Sequence, residues 1–175
     1  MEKYELRMFT TRQAMGYGVW FGLFLVLKFI LEIAIKGNAG VFLSGFLTVL
    51  VPFVAYWITV RFKIKADDEN IGFGTLFRFC IYLFFFGSMF LAIAEFVYYQ
   101  YINPDYIAEQ LETLFAFLEK YNDSASAATV TNLKAQLNEV GVPSASAVAV
   151  QTLWIYIFLG IILGLPIAAI AKKRR

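Results

Sequence analysis

Residues 24–37 read FLVLKFILEIAIKG, an apolar stretch that carries Lys28 and Glu32 one helical turn apart. The stretch lies inside a longer apolar segment, residues 16–35. That segment is long enough to cross a membrane, because a bilayer core about 30 Å thick needs roughly 20 mostly apolar residues in a helix. Three further segments share its length and character: residues 40–60, 77–101 and 148–170. The sequence therefore predicts an all-α membrane protein with four transmembrane helices.

The composition supports this fold class and excludes several kinds of catalytic and metal-binding site. The chain is 60% hydrophobic with its apolar residues in blocks, so one four-span domain accounts for all of residues 1–175. Histidine is absent and Cys80 is the single cysteine, which excludes a disulfide framework within the chain and histidine-based metal, haem or nucleophile sites. No acid–base and nucleophile set occurs at a usable spacing. We therefore expect no enzyme activity, no cofactor, no metal and no nucleic-acid partner.

Lysine and arginine are concentrated in alternate segments outside the spans. The first loop offers Lys36 and the long third loop offers Lys120 and Lys134. The head, the second loop, the start of the third span and the tail hold the others: Lys3, Arg7, Arg12, Arg61, Lys63, Lys65, Arg78, Lys172, Lys173, Arg174 and Arg175. Because cytoplasmic segments of membrane proteins carry the excess of lysine and arginine, both termini are predicted to be cytoplasmic.

The third loop, residues 102–147, is predicted to form two short amphipathic helices on the extracytoplasmic side. Asn103 and Pro104 are typical of a helix start, and a helical stripe follows: Ile107, Leu111, Leu114, Phe115 and Leu118. A weaker stripe comes next and ends at Gly141 and Pro143: Val130, Leu133, Leu137 and Val140. Interfacial helices for anionic membranes tend to be basic, whereas this loop is acidic on balance. We therefore favour packing of its apolar faces against the helix ends.

Two stripes of small residues recur at every fourth position. One lies in the first span and the other in the fourth: Ala14, Gly18 and Gly22, then Gly160, Gly164 and Ala168. Small residues at this spacing let membrane helices approach closely. Both stripes lie toward the cytoplasmic side in the predicted topology, so the first and fourth helices are predicted to touch there.

Three ionisable residues are predicted to lie at similar depth in the outer half of the bilayer. Lys28 lies about 18 Å and Glu32 about 24 Å along the first span, and Glu95 lies about 27 Å along the third, at 1.5 Å per residue. A lone charge at mid-membrane costs at least about 2.5 kcal/mol, so such groups should face inward and pair. Lys28 is therefore predicted to lie between Glu32 and Glu95.

This cluster has two interpretations. It is either a structural ion-pair network or the polar lining of a cavity that binds a cation, a proton or a small polar solute. A separate run of acids in the second loop, Asp67, Asp68 and Glu69, is interpreted as solvated charge rather than as a cation site.

The order of these pieces resembles DUF4199, a bacterial family of small four-helix membrane proteins of unknown function. Four stretches carry the resemblance: RFKIKADDEN at 61–70, IGFGTLFR at 71–78, YINPDYIAEQLE at 101–112 and LPIAAIAKKRR at 165–175. The resemblance covers nearly the whole chain and implies a four-span inner-membrane protein of a diderm bacterium. It implies no activity and no functional residue.

Two functional hypotheses follow. In the first, the chain is a non-enzymatic assembly, accessory or signalling protein that contacts a protein partner through residues 102–147, with the lipid bilayer as its surroundings. In the second, it is a small transporter or a protein that binds an ion or polar solute through Lys28, Glu32 and Glu95.

Overall fold

The computed structural model describes residues 3–35, 38–66, 71–120, 135 and 141–173. Within these ranges the chain forms five α-helices, and a π-helix, Tyr98–Ile102, continues the third. No strand occurs in the described ranges. The α-helices are α1 (Lys3–Ala34), α2 (Asn38–Lys65), α3 (Phe73–Val97), α4 (Tyr106–Lys120) and α5 (Ala145–Lys173).

Four helical segments are long and apolar enough to cross a bilayer: Tyr4–Ala34, Phe42–Lys65, Phe73–Ile102 and Ala145–Lys173. The four predicted spans are thereby confirmed as helices, although each helix extends beyond the predicted span. α1 begins at Lys3 rather than at residue 16, because residues 3–15 contain neither glycine nor proline to interrupt a helix. The helices thus continue past the apolar length that the bilayer requires.

The chain forms two compact units, each with its own packing. The first comprises Met1–Ala94 and Gln151–Arg175, and the second comprises Glu95–Val150. The single domain predicted over residues 1–175 stays a prediction.

Aromatic rings form the core of the first unit at one end. The rings of Phe62 on α2 and Phe79 on α3 stack with centroids 4.0 Å apart, and both side chains are fully buried. Phe9 on α1 packs on Phe62 at 6.1 Å, and Tyr17 packs edge-on against Phe79 at 6.1 Å. Stacked and edge-to-face pairs of this kind stabilise a core beyond their buried area. They join the beginnings of α1 and α3 to the end of α2.

The same end of the unit gathers the basic residues. Lys63 on α2 donates hydrogen bonds to the carbonyl oxygens of Ala171 at 3.2 Å and Lys172 at 3.0 Å, which places the end of α5 beside the end of α2. We call this region the basic end; its described members are Arg7, Arg12, Arg61, Lys63, Lys65, Arg78, Lys172 and Lys173. The helices therefore alternate in direction, as the charge pattern predicts.

α3 is the helix on which α1 and α5 pack. A Cβ atom built on Gly18 of α1 would lie 2.6 Å from the Cβ of Phe86, and one built on Gly160 of α5 would lie 2.6 Å from the Cβ of Phe84. Real Cβ atoms essentially never approach that closely. The glycines therefore let the two helices come within reach of the phenylalanines of α3.

The predicted contact between the two glycine stripes is wrong at these positions. The heavy atoms nearest to a Cβ at Gly18, Gly22, Gly160 or Gly164 all belong to α3, in Phe77, Cys80, Phe84, Phe86, Gly87 and Phe90. Each stripe instead packs against large side chains of the third helix, which fill the space that the absent side chains leave.

The second unit begins where α3 changes pitch. The backbone N–H of Asn103 donates to the carbonyl oxygen of Tyr98 at 2.9 Å, a bond that closes the π-helix. Tyr106 at the start of α4 packs against Tyr98 at 5.4 Å and against Tyr99 at 5.6 Å. α4 thus begins at Tyr106, slightly after the predicted start around Asn103 and Pro104, and its position is set by this tyrosine cluster.

Gly18→Val tests the packing of α1 on α3. The new side chain would overlap Phe86 at its Cβ atom, which cannot move away by a rotamer change, so we expect the free energy of unfolding to fall by about 1–3 kcal/mol. The measurement is thermal or denaturant unfolding of the purified protein in detergent.

Gly16→Val is the matched control, since a Cβ at Gly16 meets no atom within 4 Å. Both substitutions replace glycine by valine in the same helix, so the change in helix propensity is shared. Equal stability of the two variants would contradict the close contact.

Candidate functional site

Lys28 and Glu32 form an ion pair on α1. The Lys28 Nζ atom lies 2.5 Å from Glu32 Oε1, and the side chains are 11% and 24% exposed. The two residues are four positions apart, which places them on the same face of a helix. This part of the predicted cluster is confirmed.

Ser44 on α2 completes the arrangement. Its hydroxyl donates a hydrogen bond of 2.5 Å to the same Oε1 atom of Glu32. The carboxylate therefore accepts from Lys28 and Ser44 together and links α1 to α2. We call these three residues the Lys28–Glu32–Ser44 triad. The sequence analysis missed Ser44, since a hydroxyl in an apolar helix is common and gives no signal of its own.

The triad satisfies charges that would otherwise be costly in a bilayer. An unpaired ammonium or carboxylate in the hydrocarbon region raises the free energy by at least about 2.5 kcal/mol. Hydrogen bonds to charged groups are shorter and stronger than those between neutral groups, and Glu32 receives two of them at one oxygen. One carboxylate oxygen thus connects α1 to α2.

Glu95 lies near the end of α3 and begins the second unit. Glu95 is 8% exposed and is therefore buried. Its approach to Lys28 stays a prediction. Ser88, two turns earlier, is fully buried and donates to the carbonyl oxygen of Phe85 at 3.0 Å, so its hydroxyl is satisfied within α3.

Two other predicted features lie outside the described residues. Asp67, Asp68 and Glu69 lie outside them, as does the second stripe of the third loop: Val130, Leu133, Leu137 and Val140. Within the part of the chain that the structure describes, no three histidine, cysteine, aspartate or glutamate residues are grouped as a metal site would require.

α4 is the amphipathic helix that the first stripe predicts. Phe115 is buried and Ile107 and Leu111 are half-buried, whereas Glu109 and Glu112 on the opposite face are exposed. Leu114 borders the apolar face and is 50% exposed. The helix therefore presents an acidic surface on the side opposite its apolar stripe.

The ion pair between Lys28 and Glu32 predicts a specific result in a double-mutant cycle. Glu32→Leu leaves Lys28 without its carboxylate and should lower the free energy of unfolding by up to about 3 kcal/mol. Combining it with Lys28→Met removes both charges and should restore most of that loss, because replacing a buried pair costs less than breaking one. Unfolding in detergent measures all four corners of the cycle.

Leu27→Met serves as the control, since Leu27 is exposed on the same helix and a leucine-to-methionine change is mild. A double variant no more stable than Glu32→Leu alone would contradict the pairing.

Comparison with known proteins places the chain in a family. No curated protein and no solved structure matches it. The family model DUF4199, described as protein of unknown function, matches residues 16–173 and so includes all four spans and the triad. The chain therefore belongs to the DUF4199 family.

Proposed function

We propose that this chain is a non-enzymatic integral membrane protein that acts as an assembly, accessory or signalling partner, and that residues 102–147 hold its contact surface. The observation that carries the proposal is the exposed acidic face of α4. α4, which has an exposed acidic face, comes between the third and fourth candidate spans in the sequence and, at 15 residues, is too short to span the bilayer. Such a face suits a basic surface of another protein better than it suits anionic lipid.

The triad supports the same proposal. Lys28 and Glu32 were the first candidates for a transport or binding site, yet each is engaged with the other and Glu32 is also engaged with Ser44. Groups already held in this way fit a structural role. The lack of histidine in the chain supports the non-enzymatic part of the proposal, because it removes the side chain most used in general acid–base catalysis.

The proposal includes a location in the bacterial inner membrane with both termini in the cytoplasm. The bacterial inner membrane is what the family resemblance implies. The orientation is supported by the basic end, which gathers the beginnings of α1 and α3 with the ends of α2 and α5. Residues 102–147 would then lie on the extracytoplasmic side, since positive residues are retained in the cytoplasm.

Reporter fusions test this orientation. Alkaline phosphatase joined after residue 175 should be inactive and a fluorescent protein joined there should fluoresce, because the first needs the oxidising side of the membrane to form its disulfides. Alkaline phosphatase joined after Lys120 should be active. The reverse pattern at both positions would contradict the topology.

The contact surface is tested by changing α4. Glu109→Lys combined with Glu112→Lys reverses the acidic face and should weaken capture of a partner, because like charges across an interface repel. A photo-crosslinking residue at Ala116, which is exposed on the same face as Glu109 and Glu112, should give an adduct of defined mass in cells, and the double charge reversal should remove it. Deletion of residues 106–140 should remove the adduct and the co-purified partner together.

A crosslinking residue at Phe42 is the control, since Phe42 is 81% exposed on α2 and faces the surroundings of a predicted span. Partner capture that survives the deletion unchanged would contradict the proposed surface.

A small transporter or solute-binding protein is the second candidate, and the burial of Glu95 favours it. A buried carboxylate in a membrane-spanning segment is a functional candidate by default. This candidate uses Lys28, Glu32 and Glu95 together. It predicts that the variant lacking both Lys28 and Glu32 charges stays folded and abundant but loses uptake or binding of a solute, whereas the structural role predicts effects on stability alone.

A further inference from the structure

A cavity lies at the basic end between the beginnings of α1 and α3. Its volume is about 210 Å³. Arg7 and Thr10 line it from α1, Thr75 and Arg78 line it from α3, and Gly72 and Gly74 flank the first residue of α3. Since one water occupies about 30 Å³ of liquid, the cavity admits a group of several heavy atoms.

Two other cations of the basic end already have partners. Arg61 lies over the ring of Trp57 at 4.6 Å, and Lys63 caps the end of α5 through two carbonyl oxygens. Within the described ranges, no carboxylate pairs with Arg7 or Arg78. Two positive groups therefore border one concave space, and the described residues supply no counter-charge to either.

The rest of the lining leaves the space open, and most of the exposed lining surface is apolar, with Leu6 among its members. A Cβ atom at Gly72 or at Gly74 would meet no atom within 4 Å, so the backbone at the start of α3 is accessible from the cavity. Thr10 is 1% exposed, and its hydroxyl donates to the carbonyl oxygen of Leu6 at 2.7 Å. The hydrogen of Thr10 is thus already used, and the cavity's strong donors are the two guanidinium groups.

We propose that this cavity binds a phosphate group between Arg7 and Arg78. Guanidinium groups are planar donors that match the spacing of phosphate oxygens, and two of them can hold one tetrahedral anion from two sides. In the predicted topology the cavity lies near the ends of two spans, where the phosphates of lipid headgroups lie and where basic pockets between helices bind them. The ligand is the phosphate of an anionic lipid or free inorganic phosphate, which share this chemistry. The site uses α1 and α3 and does not depend on the contact surface in residues 102–147.

The test uses the full chain purified in detergent micelles and two probes at constant ionic strength. One arm titrates phosphatidylglycerol against phosphatidylcholine, and the other titrates inorganic phosphate against chloride. Thermal unfolding is followed in both arms, because a ligand that binds the folded state raises the unfolding temperature in a saturable way. Saturation by phosphatidylglycerol alone assigns the site to a lipid headgroup, and saturation by inorganic phosphate assigns it to the free anion.

Arg7→Gln and Arg78→Gln should each weaken the apparent affinity about tenfold, since each removes hydrogen bonds from a charged donor. Arg61→Gln is the matched control at the same end and should change the affinity less than about twofold, as expected for an exposed charge outside the cavity. Gly74→Leu fills the cavity while both arginines remain, and it should abolish the shift. If Arg78→Gln does not fold, Arg78→Lys keeps the charge but loses the paired donors, and it should also weaken binding.

Three results would overturn the proposal. The first is a wild-type protein that neither probe stabilises. The second is an equal loss in Arg61→Gln, which would show general attraction to the basic end. The third is a Gly74→Leu variant that binds as the wild type does.

Discussion

The approach of glycine to phenylalanine at α3 determines how the helices of the first unit are spaced. In lipid no hydrophobic force draws helices together, because the acyl chains are as apolar as the side chains. Association then depends on close van der Waals contact, which requires complementary shapes. Gly18 and Gly22 of α1 meet Phe86 and Phe90, and Gly160 of α5 meets Phe84. α3 also buries the largest share of its apolar window, 44% against 33%, 28% and 22% in the other spans.

The contact between α1 and α3 is reciprocal, because each helix contributes both glycine and phenylalanine to it. α3 contributes its own glycine, Gly87, where a Cβ atom would lie 2.5 Å from the ring of Phe21 on α1. A large side chain from each helix thus enters a gap in the other. Such interlocking fixes the relative rotation of α1 and α3, and it keeps Lys28 and Glu32 on a set face of α1. With Glu32 held on that face, its carboxylate accepts the hydrogen bond from the Ser44 hydroxyl on α2.

The sequence predicts some of these features and not others, for physical reasons. Four apolar blocks of sufficient length predict four helices, because a spanning segment must satisfy its backbone hydrogen bonds internally. Alternating charge predicts which helix ends lie together. A stripe of small residues shows where a helix can be approached closely, but it does not show which helix approaches. The stripes of α1 and α5 are predicted to contact each other, whereas their glycines contact α3. The Lys28–Glu32 pair follows from a spacing of four, whereas Ser44 and the π-helix at Tyr98–Ile102 depend on tertiary packing and backbone pitch, which leave no periodic signal.

At the basic end, too, some contacts are made within one helix and others depend on how the helices pack. Collecting like charges at one end raises their mutual repulsion, so each needs a compensating group or access to solvent. Lys63 finds the unsatisfied carbonyl oxygens at the end of α5, where a cation is favoured by the helix dipole. Arg61 finds an aromatic face on its own helix. Arg7 and Arg78 are brought together only because the aromatic core joins the beginnings of α1 and α3. Their shared cavity is therefore a product of the packing, and no pattern along the chain predicts it.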